Sequence, residues 1–231
     1  MKQVLTHGLE QLGLSPSLVP VLERFAALLL EKNQVMNLTA ITEPEQVATL
    51  HFLDSLALTR ILNFSGRRVV DVGTGAGFPG VPLAMAVPDM ELTLLDSLGK
   101  RVLFLRDCCA ALKLDHAACV HARAEEFAAD HRETYDIAVS RAVAALPVLC
   151  ELCLPLVKPG GRFLAMKSVD SDAEIQSAEK AIGVLGGRLL EVQDYTVPET
   201  TVVHRAVIVE KRSPTPLKYP RSFGKIKKSP L

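Results

Sequence analysis

Asp71-Val-Gly-Thr-Gly-Ala-Gly-Phe-Pro-Gly80 is the stretch on which the fold turns. The apolar run before it, RRVVDV (67–72), reads as a strand, and the run behind it, Gly80–Val87, reads as a helix. Gly73, Gly75, Gly77 and Gly80 therefore fill a strand-to-helix turn, where bare backbone can approach a ligand closely. Two frames overlap here. Gly75-x-Gly77-x-x-Gly80 fits the dinucleotide fingerprint. Asp71-x-Gly73-x-Gly75-x-Gly77 fits a loop that holds S-adenosyl-L-methionine (SAM). A dinucleotide brings a pyrophosphate, which seeks helix N–H groups and is repelled by a carboxylate. SAM brings an ammonium and a sulfonium and no phosphate. An acid at Asp71, placed at the strand end, suits the ammonium, so the SAM frame is favoured and a nicotinamide dinucleotide stays as the alternative.

Outward from the loop, short β-type runs alternate with helical ones. ELTLLD (91–96), AACVHA (117–122), YDIAVS (135–140) and RFLAMK (162–167) follow the first strand, with helices expected over Gly80–Val87, Leu98–Leu114, Glu125–Ala129 and Leu146–Val157. This alternation implies a parallel sheet covered on both faces. Ser171-x-x-Glu174 opens another helix. RLLEVQDYTV and TVVHRAVIVEK are then separated by Pro198-Glu199-Thr200, a link too short for a crossover, so these two strands form an antiparallel hairpin. The layout is an α/β class I SAM-dependent methyltransferase core, Rossmann-like, with a seven-stranded sheet. Before it, Ser15-Pro16 opens a helix carrying Leu18, Leu22, Phe25, Leu28 and Leu29 on one face, and Thr42-x-x-Glu45, a capping box, opens a second with Val47, Leu50, Leu53, Leu56 and Leu58. The expected organisation is a helical extension over residues 1–64 packed on the core, the core over 65–211, and a tail over 212–231.

The chain has 231 residues, 48% hydrophobic and 23% charged, which excludes a disordered chain. No apolar run reaches the roughly 18–20 residues that span a bilayer, and the start of the sequence lacks a signal-peptide core, so a cytoplasmic location is expected. The net charge of zero is uneven. Lys211, Arg212, Lys218, Arg221, Lys225, Lys227 and Lys228 fall where no acid does, leaving 19 basic and 26 acidic groups in the preceding 210 residues, a balance of −7. With Pro214, Pro216 and Pro220 among them, these cations read as a weakly structured basic arm for a phosphate backbone. Tyr and Phe number 3 and 8 and Trp is absent, so a stacking platform for single-stranded RNA is not evident beyond Phe78, Tyr219 and Phe223. Five cysteines, with Cys150-x-x-Cys153 inside an apolar helical pattern and no second pair to complete four ligands, read as core residues; no metal is expected.

Candidate site residues cluster at strand ends, where open α/β sheets bind ligands. Asp96 ends the second strand and can accept from ribose hydroxyls in either nucleotide class. Arg123-Ala124-Glu125-Glu126 ends the third, where an adenine would lie, and Ser140-Arg141-Ala142 ends the fourth. His51 and Asp54 lie three apart on one helix face and read as a structural hydrogen-bonded pair joining the helical third to the core.

Taken together these residues resemble the ribosomal RNA small-subunit methyltransferase G family, also called glucose-inhibited division protein B. The resemblance runs over nearly the whole chain, through Asn37-Leu38-Thr39, His51-Phe52-Leu53-Asp54-Ser55, DVGTGAGFPG, LLDSLGKRVLFLRD (94–107), RAEEF (123–127), SRA (140–142), Met166-Lys167 and His204-Arg205. It departs from the family at Lys167-Ser168, where Lys-Gly is frequent, and in the tail, where Ser222 stands directly after Arg221 in place of a basic residue. What the resemblance implies is methyl transfer from SAM to N7 of one guanine in the 530 loop of 16S rRNA, position 527. It carries SAM contacts over to Gly73, Phe78, Ala124, Glu125 and Arg141, with Asp71, Gly75, Gly77 and Asp96 as neighbours. Guanine N7 has a free lone pair, so no general base and no catalytic side chain is nominated; positioning does the work. Candidates for the RNA are Asn37, Arg123, Lys167, Arg205 and the tail, on naked 16S rRNA or the small ribosomal subunit, with the enzyme a monomer. The alternatives are a nicotinamide-dependent oxidoreductase and an RNA-binding assembly factor without turnover.

Overall fold

The computed structural model describes residues 1–141 and 143–231; Ala142 of the SRA motif lies outside them. Seven strands, β1 (Arg68–Val72), β2 (Glu91–Asp96), β3 (Ala117–His121), β4 (Tyr135–Arg141), β5 (Val157–Ser168), β6 (Gly187–Thr196) and β7 (Val203–Lys211), form one sheet in the order β3-β2-β1-β4-β5-β7-β6. The first five are parallel, with helical crossovers between them. β7 is antiparallel to both β5 and β6, so the hairpin is present as expected, with its second strand slotted against β5.

Alternation along each strand feeds two cores. Leu164, Met166, Ala206 and Ile208 face one side of the sheet, while Phe163, Ala165, Val207 and Val209 face the other. On the first side the sheet packs against α5 (Gly80–Ala86), α6 (Gly99–Leu112) and the whole N-terminal region. On the second it packs against α7 (Ala124–Phe127), α8 (Leu146–Cys153), α9 (Asp172–Val184) and α10 (Phe223–Lys228). Cys150 and Cys153 are buried in this second layer, where burial pushes both thiols up.

The N-terminal region holds more helix than its motifs announce. α1 (Lys2–Leu12) precedes Ser15, which caps a short 3-10 turn, Pro16–Leu18, before α2 (Val19–Met36) begins. α2 stops at Asn37, which takes a left-handed conformation with φ of 50°. The capping box at Thr42 is not formed. Glu43 caps instead, its carboxylate accepting from the Gln46 N–H at 2.8 Å, because Pro44 supplies the first helical position one residue later than Thr42 would need. From there α3 (Pro44–Gln46) widens into a π-helical stretch, Val47–Leu53, and returns to α geometry in α4 (Asp54–Ala57). The π stretch carries His51.

The expected basic arm is also corrected. Lys211 is fully buried, and its ammonium donates to the Leu154 and Val157 carbonyls at 2.7 and 2.9 Å and to Glu133 at 3.0 Å. Arg221 forks onto the fully buried Glu151, with contacts of 2.8 and 2.6 Å. Arg132 donates to the carbonyls of Thr215, Pro216 and Tyr219, and Tyr219 and Ile226 enter the core. A buried carboxylate demands a paired cation. Buried Glu151 draws Arg221 inward, half-buried Glu133 meets the buried Lys211, and the segment wraps the second helical layer.

Candidate cofactor and substrate site

The loop closes on itself before any ligand is considered. Gly73 and Thr74 donate their N–H groups to the Leu95 carbonyl, at 2.8 and 3.2 Å. Gly77 and Phe78 donate to the Thr74 carbonyl, at 2.9 and 3.0 Å. Gly75 donates to Asp96 Oδ2 at 2.9 Å, and Gly80 donates to Asp71 Oδ2 at 2.8 Å. Six amides of the loop, groups a pyrophosphate would seek, are thus held by two carboxylates and two carbonyls. Asp71 is fully buried beneath the turn, and its Oδ2 also accepts from the Thr74 hydroxyl at 2.7 Å. Its carboxylate does not line the cavity, so it meets no ligand directly and acts on the loop by capturing amides. Burial pushes Asp71 up to about 6, against the opposing hydrogen bonds from Thr74 and Gly80.

Above the loop opens a cavity of about 450 Å³, lined among others by Gly73, Gly75, Phe78, Asp96, Leu98 and Arg141. Asp96 forms its floor at the end of β2, its second oxygen accepting from the Leu98 N–H at 2.8 Å. A side chain on Gly75, whose φ is +62°, would meet nothing nearer than the Gly73 carbonyl at 3.9 Å; it would project into open space that a bound molecule can fill. Gly77 differs: a Cβ there would come within 2.7 Å of Val81, so this glycine serves the seating of the loop on α5.

One wall of the cavity is a stack. The His51 ring lies against Phe78 at 4.5 Å, and the Arg141 guanidinium sits over the same ring at 4.9 Å. Arg141 donates to the Leu50 carbonyl at 3.1 Å, to Asp54 Oδ2 at 3.3 Å and to His51 Nδ1 at 3.1 Å. Asp54, 1% exposed, accepts on its other oxygen from the Tyr195 hydroxyl at 2.9 Å and from His204 at 2.8 Å. His51 and Asp54 therefore do not pair directly; Arg141 bridges them, and the bridge ties the helical region to β4, β6 and β7. Burial, then the Arg141 charge, pushes His51 down to about 4, so its ring is neutral at ordinary pH.

Comparison with known proteins places this arrangement. A model of the rRNA small subunit methyltransferase G family matches residues 19–203. Proteins of that name from Alkaliphilus oremlandii and Staphylococcus saprophyticus are 47% and 45% identical over 237 and 232 residues, covering all of this chain and 99% and 96% of their own length. The chain belongs to the rRNA small subunit methyltransferase G family. At the level of fold it is similar to TrmN from Thermus thermophilus, with 23% identity, a TM-score of 0.53 and coverage of 68% of this chain and 48% of that one. It is likewise similar to TYW2 from M. jannaschii, solved in complex with AdoMet, with 14% identity, a TM-score of 0.54 and coverage of 68% and 72%. The α/β class I methyltransferase fold is the one the strand pattern implied.

In this member of the methyltransferase G family, Gly73, Gly75, Phe78, Asp96 and Arg141 meet around the cavity. Ala124 and Glu125 open α7 just past β3, at the same edge of the sheet but outside the cavity lining. Two residues expected at the RNA are engaged within the protein. Lys167 donates to Glu174 at 2.6 Å and to the Ala144 carbonyl at 2.8 Å. Arg205 pairs with Asp194 and Asp172, at 2.6 and 2.5 Å. Each cation faces acids contributed by neighbouring elements, which its own sequence neighbourhood does not reveal. Arg123 stays exposed, its guanidinium 5.6 Å from the Phe223 ring at the start of α10, and Asn37 is exposed at the end of α2. The sequence reading passed over Thr39 and Arg101, both on the cavity wall. Arg101 lies 3.6 Å from Asp96, five positions along the chain, and its place in the first turn after β2 was the available signal.

Proposed function

We propose that this chain transfers a methyl group from SAM to N7 of a guanine in the 530 loop of 16S rRNA, position 527. The observation that carries the reading is the loop from Gly73 to Gly80. The amides of Gly73, Thr74, Gly75, Gly77, Phe78 and Gly80 are engaged by Asp71, Asp96, Leu95 and Thr74, which favours a nucleoside without phosphate. The open space above Gly75 and the floor at Asp96 fit that cofactor; Arg141 and Phe78 border it, with Ala124 and Glu125 farther along the same edge. When bound, SAM supplies an electrophilic methyl on a cationic sulfur.

Guanine N7 presents an in-plane lone pair, so the protein removes no proton. Its task is to hold the base and keep the reacting atoms within about 3–3.5 Å of one another. The Phe78–His51–Arg141 stack is suited to this, being rigid and fixed from behind by Asp54. Arg123, Asn37 and the exposed Lys225, Lys227 and Lys228 of α10 supply surface for the rRNA. The same reading makes the enzyme a cytoplasmic monomer; among the described residues no helix is long and apolar enough to cross a membrane, and no group of side chains could hold a metal.

Incubation with methyl-labelled SAM and small-subunit RNA or particles lacking the modification tests the reading. Label recovered as 7-methylguanosine from the 530 loop is the expected result. SAM binding with label in no guanine defeats the acceptor assignment, and binding of a nicotinamide dinucleotide in place of SAM defeats the cofactor.

A further inference from the structure

The wall of the cavity carries a hydrogen-bond donor whose proton is left over by the protein. Arginine can only donate, so the 3.1 Å contact from Arg141 to His51 Nδ1 makes that nitrogen an acceptor. The ring proton then sits on Nε2, which donates to Thr39 Oγ1 at 2.8 Å. The Ile41 N–H donates to the same oxygen at 3.0 Å. Both lone pairs of the Thr39 hydroxyl are filled, and among the described residues no acceptor takes its proton. Thr39 borders the cavity, and its backbone is clamped from both sides: its N–H donates to Asn33 Oδ1 and its carbonyl accepts from Asn33 Nδ2, each at 2.9 Å. The fixed relay from Asp54 through Arg141 and His51 therefore ends in one O–H aimed away from its protein partners, on the wall of the cavity.

We propose that the Thr39 hydroxyl donates to O6 of the target guanine and so selects guanine over adenine. The inference rests on the methyltransferase reading above. On the edge that carries N7, guanine offers a second acceptor, O6, whereas adenine offers an amino donor at that position. A base whose N7 enters the cavity brings this neighbouring group with it. A donor with both lone pairs occupied welcomes O6 and opposes N6–H, and it cannot rotate to accept, because Arg141 dictates the tautomer of His51 and His51 dictates the role of Thr39. Thr39 is thus a specificity-determining residue, and Asp54, Arg141 and His51 are its positioning residues. A site built to hydrogen-bond one group rejects the analogue lacking it, because the site's polar atom is then left unpaired.

The test measures single-turnover methyl transfer by the wild type, Thr39→Ser and Thr39→Val. The substrate is small-subunit RNA carrying either guanine or 2-aminopurine, which keeps N7 and lacks O6, at the target position. The wild type should lose about 10- to 100-fold on 2-aminopurine. Thr39→Val should lose a similar factor on guanine and little more on 2-aminopurine, Thr39→Ser should track the wild type, and SAM affinity by calorimetry should agree among all three. Equal wild-type rates on the two bases would overturn the proposal whatever the variants do. So would a Thr39→Val loss of the same factor on both bases, which marks a structural defect and no coupling to O6. Wild-type transfer to neither base would overturn the methyltransferase reading and this inference together, whereas transfer indifferent to O6 overturns the inference alone.

Discussion

At the scale of single residues, the site separates groups that build the loop from groups that face the ligand, and substitutions should report the difference. Gly75→Val places its side chain in open cavity, so the cost to the fold is the left-handed φ alone, about 1–2 kcal/mol, while SAM affinity should fall beyond calorimetric detection. Gly80→Ala is the converse, since its Cβ would come within 2.5 Å of Leu94 and 2.8 Å of Asp71; it should lower thermal stability markedly. Asp71 adds a pH signature. Its carboxyl is held above the usual range, so the folded state binds more protons than the unfolded one between about pH 4 and 6. The stability it contributes is complete below that window and is lost as pH rises through about 6. Asp71→Asn removes this dependence, so its melting temperature relative to wild type should climb between pH 4.5 and 7; a constant difference would show that Asp71 does not titrate there. Neutral His51 works in the opposite sense, its contribution being lost as pH falls from 6.5 toward about 4. Asp71→Asn should therefore be read against the wild type at each pH.

At the scale of elements, what the sequence made legible depended on whether the signal was local. The glycine turn, the five parallel strands and the hairpin each have a signature within ten or so residues, and all are present. Helix ends slipped where caps compete, as at Thr42 and Glu43. The cavity-lining residues of the loop were readable because strand ends converge on one edge. Thr39 was not, since its role comes from His51, twelve residues on, and from Arg141, across the fold. The tail was misread for the same reason: a sequence reports the charge of Arg221 but not that buried Glu151 waits for it. Arg221→Ala should accordingly cost on the order of 3 kcal/mol in chemical denaturation, because it strands a buried carboxylate. Removing residues 211–231 should yield an unstable protein; a truncation with wild-type melting behaviour would contradict the packing described for Lys211, Tyr219 and Ile226.

At the scale of the whole molecule, only part of the charge on the basic segment is left for a partner. Lys211 and Arg221 are drawn inward, which leaves Lys225, Lys227 and Lys228 exposed on α10, close to Arg123 at the sheet edge that bears the cavity. Fewer phosphates are then met than a free arm of seven cations would meet. For a single-stranded RNA partner each contact contributes about 0.7 to the slope of log K against log salt. The triple variant Lys225→Glu/Lys227→Glu/Lys228→Glu should flatten that slope by about 2 and weaken RNA binding, with SAM binding unchanged. An unaltered slope in filter-binding titrations would remove α10 from the interface.

The wrapping of residues 211–226 around the second helical layer also governs when this protein comes into being. Lys211 and Arg221 reach back 78 and 70 positions to neutralise Glu133 and Glu151. A nascent chain that has emerged only as far as β6 holds two acids with no partner and an apolar layer still open to water. The second helical layer is therefore completed from both sides of the sheet's last hairpin, and trimming of the final turns is expected to loosen the fold from a point far from its cavity.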